Sequence, residues 1–434
     1  MDLRTQTFFM GAAGGESEPD TYWINLISGT IHYSADIAVD SQKNVYSTFQ
    51  SYGGAISFVK LDKTGQLQFA KKINTPNNSS TNNAGFGIKV DSNDDIIILG
   101  NAQQSGSNVQ NNAKTFIGKY TSAGVRIWNR IYSPGNYHYS SFAKPFVNSS
   151  GDIFFATRKR DTSFRSEIIT VKYDSSGTNQ FLRAVRGQKA TGEIHYETGC
   201  VEDSNGNVYT CGGYRLNSSS QFSGLLYKFN SSGIYLSYNF LGYSTGSTSL
   251  RAIAVDSSDN IYCVGDQTSG IVVKYDSSGN IVWSTQISNS ISFYGVAVDS
   301  SDDIYICGRG DSSYTYSVVA KLNSSGQVQW FRKISNSHVF TPSIAVDNSA
   351  VYVTARVKDG TSTQFNNATF KLPKDGSLTG TYGNFVYAAQ SYSVSTPSNT
   401  NPSATLFNIQ SGSSSTVTYS DGNMNSTTST TTTL

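Results

Sequence analysis

Charge is scarce in this chain. Only 14% of its 434 residues are Asp, Glu, Lys or Arg, and the formal net charge is +2. Nothing in that balance supplies the basic field that nucleic-acid binding needs. Long apolar runs are also missing, and with them the stretch of about 20 residues required for a membrane-spanning helix. Phe8 to Ala13 is too short for a signal-peptide core, and Asp2 offsets Arg4 in front of it, so no secretory signal is expected. His-Glu-x-x-His, the Walker loop and Cys-x-x-Cys are all absent. No catalytic residue, metal ligand or cofactor is therefore assigned, and the chain reads as a non-enzyme.

Cysteine is limited to Cys200, Cys211, Cys263 and Cys307, without metal-ligand spacing. Cys211 and Cys307 hold the repeat position that Leu99 holds elsewhere, so they read as small buried hydrophobes. Cys200 and Cys211 flank Asp203, and a symmetric hairpin would set them face to face. Two packed thiols are the reading preferred there over a cross-strand disulfide.

What the chain has in excess is Ser, Asn, Thr, Gly and Tyr, arranged in a repeat. The spacing Lys-x4-Gly occurs at Lys60/Gly65, Lys119/Gly124, Lys172/Gly177, Lys228/Gly233, Lys274/Gly279, Lys321/Gly326 and Lys371/Gly376. Each copy sits in a longer unit. In the fifth, Ile253 to Asp256 precedes a polar turn, Ile271 to Lys274 leads into Asp276-Ser277-Ser278-Gly279, and Ile281-Val282-Trp283 follows. The Asp recurs at Asp40, Asp91, Asp203, Asp256, Asp299 and Asp347, with Asn148 in the third place. A period of roughly 45 to 55 residues with several short β-branched runs predicts four-stranded blades, and seven copies predict an all-β, seven-bladed β-propeller.

Asp-Ser-Ser-Gly suits a tight turn because Asp bonds the turn backbone and Gly accepts positive φ. Counting strands a to d outwards from the axis, the a–b and c–d turns share one face of the disk, and the b–c and d–a loops share the other. The recurrent Asp and Lys, such as Asp256 and Lys274, end strands on the turn face; a structural ion pair or a Lys-to-carbonyl bond is expected in each blade. Asp-rich turns such as Asp91 to Asp95 and Asp299 to Asp303 carry oxygens that calcium could use, but turn chemistry accounts for them. Ring closure is legible too. Outer strands read Trp/Phe-x3-Ile, as in Phe69/Ile73, Trp283/Ile287 and Trp330/Ile334, and the same spacing stands ahead of the first blade at Trp23/Ile27. Tyr22 to Ile27 is thus expected to be the outermost strand of blade seven, which would remove two open edges.

Repeated turns preserve a scaffold, whereas loops that differ from blade to blade can carry recognition. The divergent loops are Asn74 to Asn83, Gln103 to Asn112, Tyr132 to Tyr139, Arg158 to Arg165 and Arg309 to Tyr316. Their candidate binding residues are Tyr137, His138, Arg158, Lys159, Arg160, Arg165, His195, Arg309, Tyr314 and Tyr316, polar and adaptable enough for protein or glycan. With Arg183, Arg186 and Lys189, blade three is locally basic. All four histidines, His32, His138, His195 and His338, fall just before strand a, where a metal or acid/base pair at the channel mouth is weighed and set below a packing role. Arg309-Gly310-Asp311 invites an adhesion reading, and chance is preferred.

The opening segment Phe8-Phe9-Met10-Gly11-Ala12-Ala13-Gly14-Gly15-Glu16 resembles that of marine tailed-bacteriophage (cyanophage-like) virion structural proteins. Residues 22 to 383 resemble the β-propeller repeat family of bacterial extracytoplasmic proteins. Together these resemblances imply a virion structural or appendage protein in multiple copies, with residues 1–21 as a docking segment, 22–383 as the propeller and 384–434 as a Ser/Thr/Asn-rich extension that contacts other virion proteins. In the extension, Phe385 to Val394 and Thr416 to Tyr419 look strand-like, and the tail is expected either to add a strand to a neighbouring subunit or to pack on the disk. The alternative is a secreted or surface bacterial propeller that binds glycan or protein; a lyase or hydrolase using the loop histidines is a third reading.

Overall fold

The computed structural model describes residues 4–13, 20–51, 55–74, 85–103, 113–132, 138–139, 144–160, 166–186, 193–215, 222–243, 247–288, 291–358, 365–397, 399–400, 422–423 and 430–433, and every regular element among them is a β-strand. Seven antiparallel blades stand around one axis, blades seven and one being continuous as a single sheet, and each gives its first strand to a central channel. In blade five, strands a to d are Ser249–Val255, Ile261–Asp266, Gly270–Tyr275 and Ile281–Ile287. Strands b and c are apolar at nearly every position because both faces of a blade lie against neighbours. Ile261 to Val264 and Ile271 to Val273 are all fully buried.

One long strand, Asp20–Val39, closes the ring. Trp23 to Ile27 pairs with Lys371 to Asn367, the third strand of blade seven, and the same strand continues to pair Ile37 with Ser47 in blade one. Trp23 and Ile27 are both fully buried. Tyr22 to Ile27 is nevertheless the fourth strand of blade seven and not its outermost. Arg4–Ala13 lies outside it, with Phe9 opposite Trp23 and Thr5 opposite Ile27. Met10 is buried and Phe8 packs on the blade-seven core, while Phe9 stays 58% exposed, the alternation expected of a strand covering an edge.

The carboxyl-terminal segment forms a belt. After blade seven, Phe385–Ala389 pairs with the outer strand of blade six, Val394–Ser395 with that of blade five, and Asn399–Thr400 with that of blade four. Further on, Gly422–Asn423 pairs with blade two and Thr430–Thr433 with blade one. The described tail strands therefore extend the chain's own blades, in the reverse of chain order, along the loop-side half of the rim. Thr416 to Tyr419 lies outside the described residues.

On the turn face the repeat chemistry is internal. Asp256 Oδ1 accepts the amides of Ser258 and Asn260 at 3.0 and 2.8 Å, and its Oδ2 takes the Tyr262 hydroxyl at 2.9 Å with Lys274 Nζ at 3.6 Å. These bonds outweigh the cost of burial and hold the Asp256 carboxyl below its ordinary range. Lys119 pairs with Asp91 and Asp95 at 2.7 and 3.3 Å, Lys321 with Asp303 at 2.7 Å, and Lys172 with Asp152 at 2.9 Å, where Asn148 replaces the usual Asp. Lys228 instead reaches the Ser277 carbonyl of the next blade at 2.6 Å. Asp94, Asp259 and Asp302 take left-handed φ near 60°. Each accepts the amide and hydroxyl of a Ser in the preceding blade, Ser41, Ser204 and Ser257. The acidic turns are thus joints between blades, and no group of three metal-ligating side chains occurs among the described residues.

A second joint lies nearer the rim. Trp23, Trp128, Trp283 and Trp330 each lie over the c–d turn glycine of the following blade, Gly65, Gly177, Gly326 and Gly376, and Phe69 and Phe181 do the same over Gly124 and Gly233. A β-carbon on Gly65 would stand 2.6 Å from the Trp23 ring. Two residues on, a polar side chain bonds that glycine's carbonyl, as Asn25 does for Gly65 at 2.9 Å and Arg183 for Gly233 at 2.7 Å. The exception is the seam between blades four and five. There Ser237 occupies the aromatic position, and a β-carbon on Gly279 would meet nothing within 4 Å.

The cysteines are all free and buried. Cys200 faces Thr210 and Cys211 faces Gly199, so the expected confrontation does not occur. One residue of register puts side chains on opposite faces of a strand; Cys200 packs with blade three and Cys211 with Cys263 of blade five.

Candidate functional site

The channel and the loop face are the two places where the repeat breaks down. Four residues before each recurrent Asp, the inner strands carry Asp36, Gly87, Lys144, Gly199, Ala252, Gly295 and Ser343, one per blade. Small side chains in this layer leave room for Lys144 to cross the axis from blade three. Its ammonium donates to the carbonyls of Pro342 at 2.8 Å and Tyr294 at 3.1 Å, in blades seven and six. Asp36, fully buried, accepts the Ile88 amide at 3.0 Å and the Ser343 hydroxyl. Enclosure lowers the Lys144 pKa even though Asp36 pulls it up. The remaining channel space is about 310 Å³, lined by Asp36, Lys89 and Lys144 among mainly apolar residues. Lys144 and Asp36 hold one another's surroundings together, which makes this layer a strut across the ring.

At the loop-side mouth, blades five to seven bring aromatic rings and cations together. Arg309 ends strand b of blade six, Ile304–Arg309, and Tyr316 opens its strand c, Tyr316–Leu322. The loop between them is tight: the Gly310 amide bonds the Tyr316 carbonyl at 3.0 Å, and a β-carbon on Gly310 would stand 2.0 Å from the Tyr316 ring. Tyr314 takes φ 59°, a conformation costing a bulky residue on the order of 1–2 kcal/mol. It is held there because its carbonyl accepts the Val339 amide at 2.8 Å and its hydroxyl accepts Arg309 Nη1 at 3.2 Å.

Around Tyr314 the rings form a continuous ridge. Tyr314 stacks on His338 at 5.0 Å and meets the edge of Phe340 at 5.9 Å; Phe340 meets Tyr294 at 4.8 Å, and His338 meets Phe365 at 5.0 Å. Three guanidiniums lie over these rings: Arg251 over Tyr294 at 4.8 Å, Arg309 over Tyr314 at 5.1 Å and Arg356 over Phe365 at 3.4 Å, with Lys358 beside Phe365 at 5.0 Å. Arg251 is neutralised by Asp266 at 2.5 Å. Arg309 also reaches Ser292 Oγ at 3.4 Å, and among the described residues it has no carboxylate partner. Burial lowers the His338 pKa, with Arg356 and Lys358 adding to the effect and Asp311 opposing it. Burial raises the Tyr294 pKa against the pull of Arg251 and Arg309.

Of the residues singled out by sequence, the structure brings Arg309, Tyr314 and Tyr316 into this cluster. Asp311 accepts the Thr315 amide at 2.9 Å and the Thr315 hydroxyl, so the charged groups of Arg309-Gly310-Asp311 are held within their own loop. Tyr137 and Arg165 lie outside the described residues. His138 pairs with Lys159 by backbone, Arg158 with Tyr139, Arg160 with Ser166 and His195 with Gly213, which places both histidines inside inner strands and not in the loops ahead of them. His338 likewise opens strand a of blade seven, His338–Val346. Arg183 leaves the basic group of blade three because it clamps Gly233 at the rim. Arg251, Tyr294, Phe340, Arg356 and Phe365 were missed from sequence. Each lies within three residues of the loop-side end of its strand, where residue types change from blade to blade, so only their common location unites them.

No protein-family model matches the chain, and no curated protein matches it by sequence. Solved structures do match by shape. An ulvan lyase, from a new family of polysaccharide lyases, aligns over 80% of this chain and 94% of its own with TM-score 0.55 and 10% identity. The endosialidase of phage phi92 aligns over 82% and 71% with TM-score 0.47 and 13% identity. The β-propeller domain of the trilobed protease from Pyrococcus furiosus, which has an open velcro topology, aligns over 79% and 95% with TM-score 0.46 and 9% identity. At such identities the likeness is one of fold, and the chain is a seven-bladed β-propeller.

Proposed function

We propose that the chain is a non-enzymatic recognition protein of a bacteriophage virion, presenting its loop face to a glycan or protein of the host surface. The observation that carries this reading is the difference between the two faces. On the turn face, lysines, aspartates and tyrosines bond one another and the adjoining blades. On the loop face of blades five to seven, cations and aromatic rings accumulate at non-repeated positions, and the strained Tyr314 marks the place. That polysaccharide lyases share the fold makes saccharide the first ligand class to test.

The virion placement rests on the opening segment and its resemblance to phage structural proteins. Among the described residues of that segment, Phe9 is exposed on the outer edge of blade seven and is offered for docking to the particle. Mass spectrometry of purified particles tests the placement: stoichiometric recovery of this chain supports it, and recovery only from the medium or cell envelope would favour a bacterial surface propeller. A turnover assay on whichever saccharide binds separates recognition from catalysis.

A further inference from the structure

We propose that the ridge formed by Arg251, Tyr294, Arg309, Tyr314, His338 and Arg356 is a subsite for the oxyanion of an acidic saccharide, a uronate carboxylate or a sulfate ester. The proposal rests on the reading of the loop face as a glycan-contact surface and gives that surface a ligand chemistry.

Three features converge on an oxyanion. First, a guanidinium laid flat on a ring keeps its plane while leaving its edge donors in position, so the geometry that recognises a carboxylate or sulfate is set before the ligand arrives. Arg309 is held on both sides, by the Tyr314 ring and hydroxyl and by Ser292, and its Nε is a buried donor with no partner among the described residues. Buried donors are almost always paired in folded proteins, so an orphan on a cation points to an anion or water as the missing partner.

Second, the local charge is unbalanced. Four cations, Arg251, Arg309, Arg356 and Lys358, gather here; Asp266 is held by Arg251 and Asp311 by Thr315, and among the described residues Arg309 has no carboxylate partner. In a chain with net charge +2, such a concentration is not a consequence of overall composition. Third, the ridge crosses two blade seams, from Arg251 in blade five to Phe365 in blade seven, a span that suits an extended polymer better than a small free ion. A nucleic acid would ask for a broader basic field than this patch provides.

The test uses the full-length protein with polygalacturonate, dextran sulfate and neutral dextran, and a single-stranded oligonucleotide as competitor, with affinity read by interferometry at low salt. Binding to polygalacturonate or dextran sulfate but not to dextran is expected, and which of the two binds identifies the source of the oxyanion. Arg309→Gln should weaken it by roughly tenfold or more, the loss of one charge-assisted contact, whereas Lys333→Gln on the rim of the same blade should leave it unchanged. Should Arg309→Gln fail to fold, Lys358→Gln gives the same comparison. If wild type binds an acidic saccharide and neither variant weakens it, the subsite is wrong while the glycan-contact reading stands. If only neutral dextran binds, the oxyanion chemistry is wrong; if no saccharide binds, both readings fall. Oligonucleotide binding as tight as that of either acidic polymer would also overturn the proposal.

Discussion

Trp23 covers Gly65. The indole lies 2.6 Å from where a β-carbon on that glycine would stand, and its Nε1 donates to the Lys63 carbonyl at 3.0 Å. Trp23 belongs to blade seven and Gly65 to blade one, so the contact that elsewhere joins consecutive repeats here joins the two ends of the ring.

The clamp sorts the turn glycines into two classes. Gly279→Ala should cost only the left-handed strain, about 1–2 kcal/mol, because no ring lies over it. Gly65→Ala adds displacement of a fully buried tryptophan, about 1–3 kcal/mol more for overpacking. Urea denaturation of both variants should show the larger loss at Gly65. Equal losses would mean that the ring contact contributes nothing to the seam.

The blade count was legible because its signals are local. Lys-x4-Gly and the Asp turns place every atom of their chemistry within a few residues, and Trp23/Ile27 repeats a spacing visible in other blades. The aromatic clamp left its own trace, a Phe or Trp nine residues after the repeat Lys at Phe69, Trp128, Phe181, Trp283 and Trp330, but its glycine partner is a whole blade away. The belt left less. Thr430 to Thr433 has no apolar alternation, since an edge-covering strand is held by backbone bonds that any residue but proline supplies. Arg251 and Phe365 gave no sign in sequence that they share a surface.

Lys144 gives the ring an alkaline signature. Its pKa is lowered in the fold, so between that value and the unfolded value near 10.4 the unfolded chain binds more protons and the Lys144 contribution to stability rises with pH. Lys144→Met should abolish this rise and cost about 1–3 kcal/mol at neutral pH by leaving two buried carbonyls without their donor. Because tyrosines titrate in the same range, the quantity to follow is the difference between wild type and variant from pH 8 to 10. A flat difference would show that the strut titrates normally.

Removing the belt should act in two steps. Deleting residues 396–434 strips the strands from blades four, two and one but keeps Phe385 and Tyr387, which are 2% exposed in the core shared by blades six and seven. Thermal melting should change little, while light scattering should reveal association through the uncovered edges. Deleting residues 380–434 also removes both aromatics, worth roughly 3–6 kcal/mol together, and should lower the melting temperature clearly. Identical melting of the two truncations would show that the hairpin carrying them adds no stability.

His338 sets the acid side. Burial, Arg356 and Lys358 lower its pKa against the pull of Asp311, so the fold prefers the neutral ring that stacks on Tyr314. Below the unfolded value near 6.5 the unfolded chain takes up the proton first, and stability falls as pH drops through that value towards the folded one. His338→Phe keeps an aromatic ring in the ridge and removes the proton. The variant should therefore lose less melting temperature than wild type between pH 7.5 and pH 5. An equal loss in both would mean that His338 is not held neutral by its neighbours, and that the positive charge gathered around it is weaker than the ridge requires.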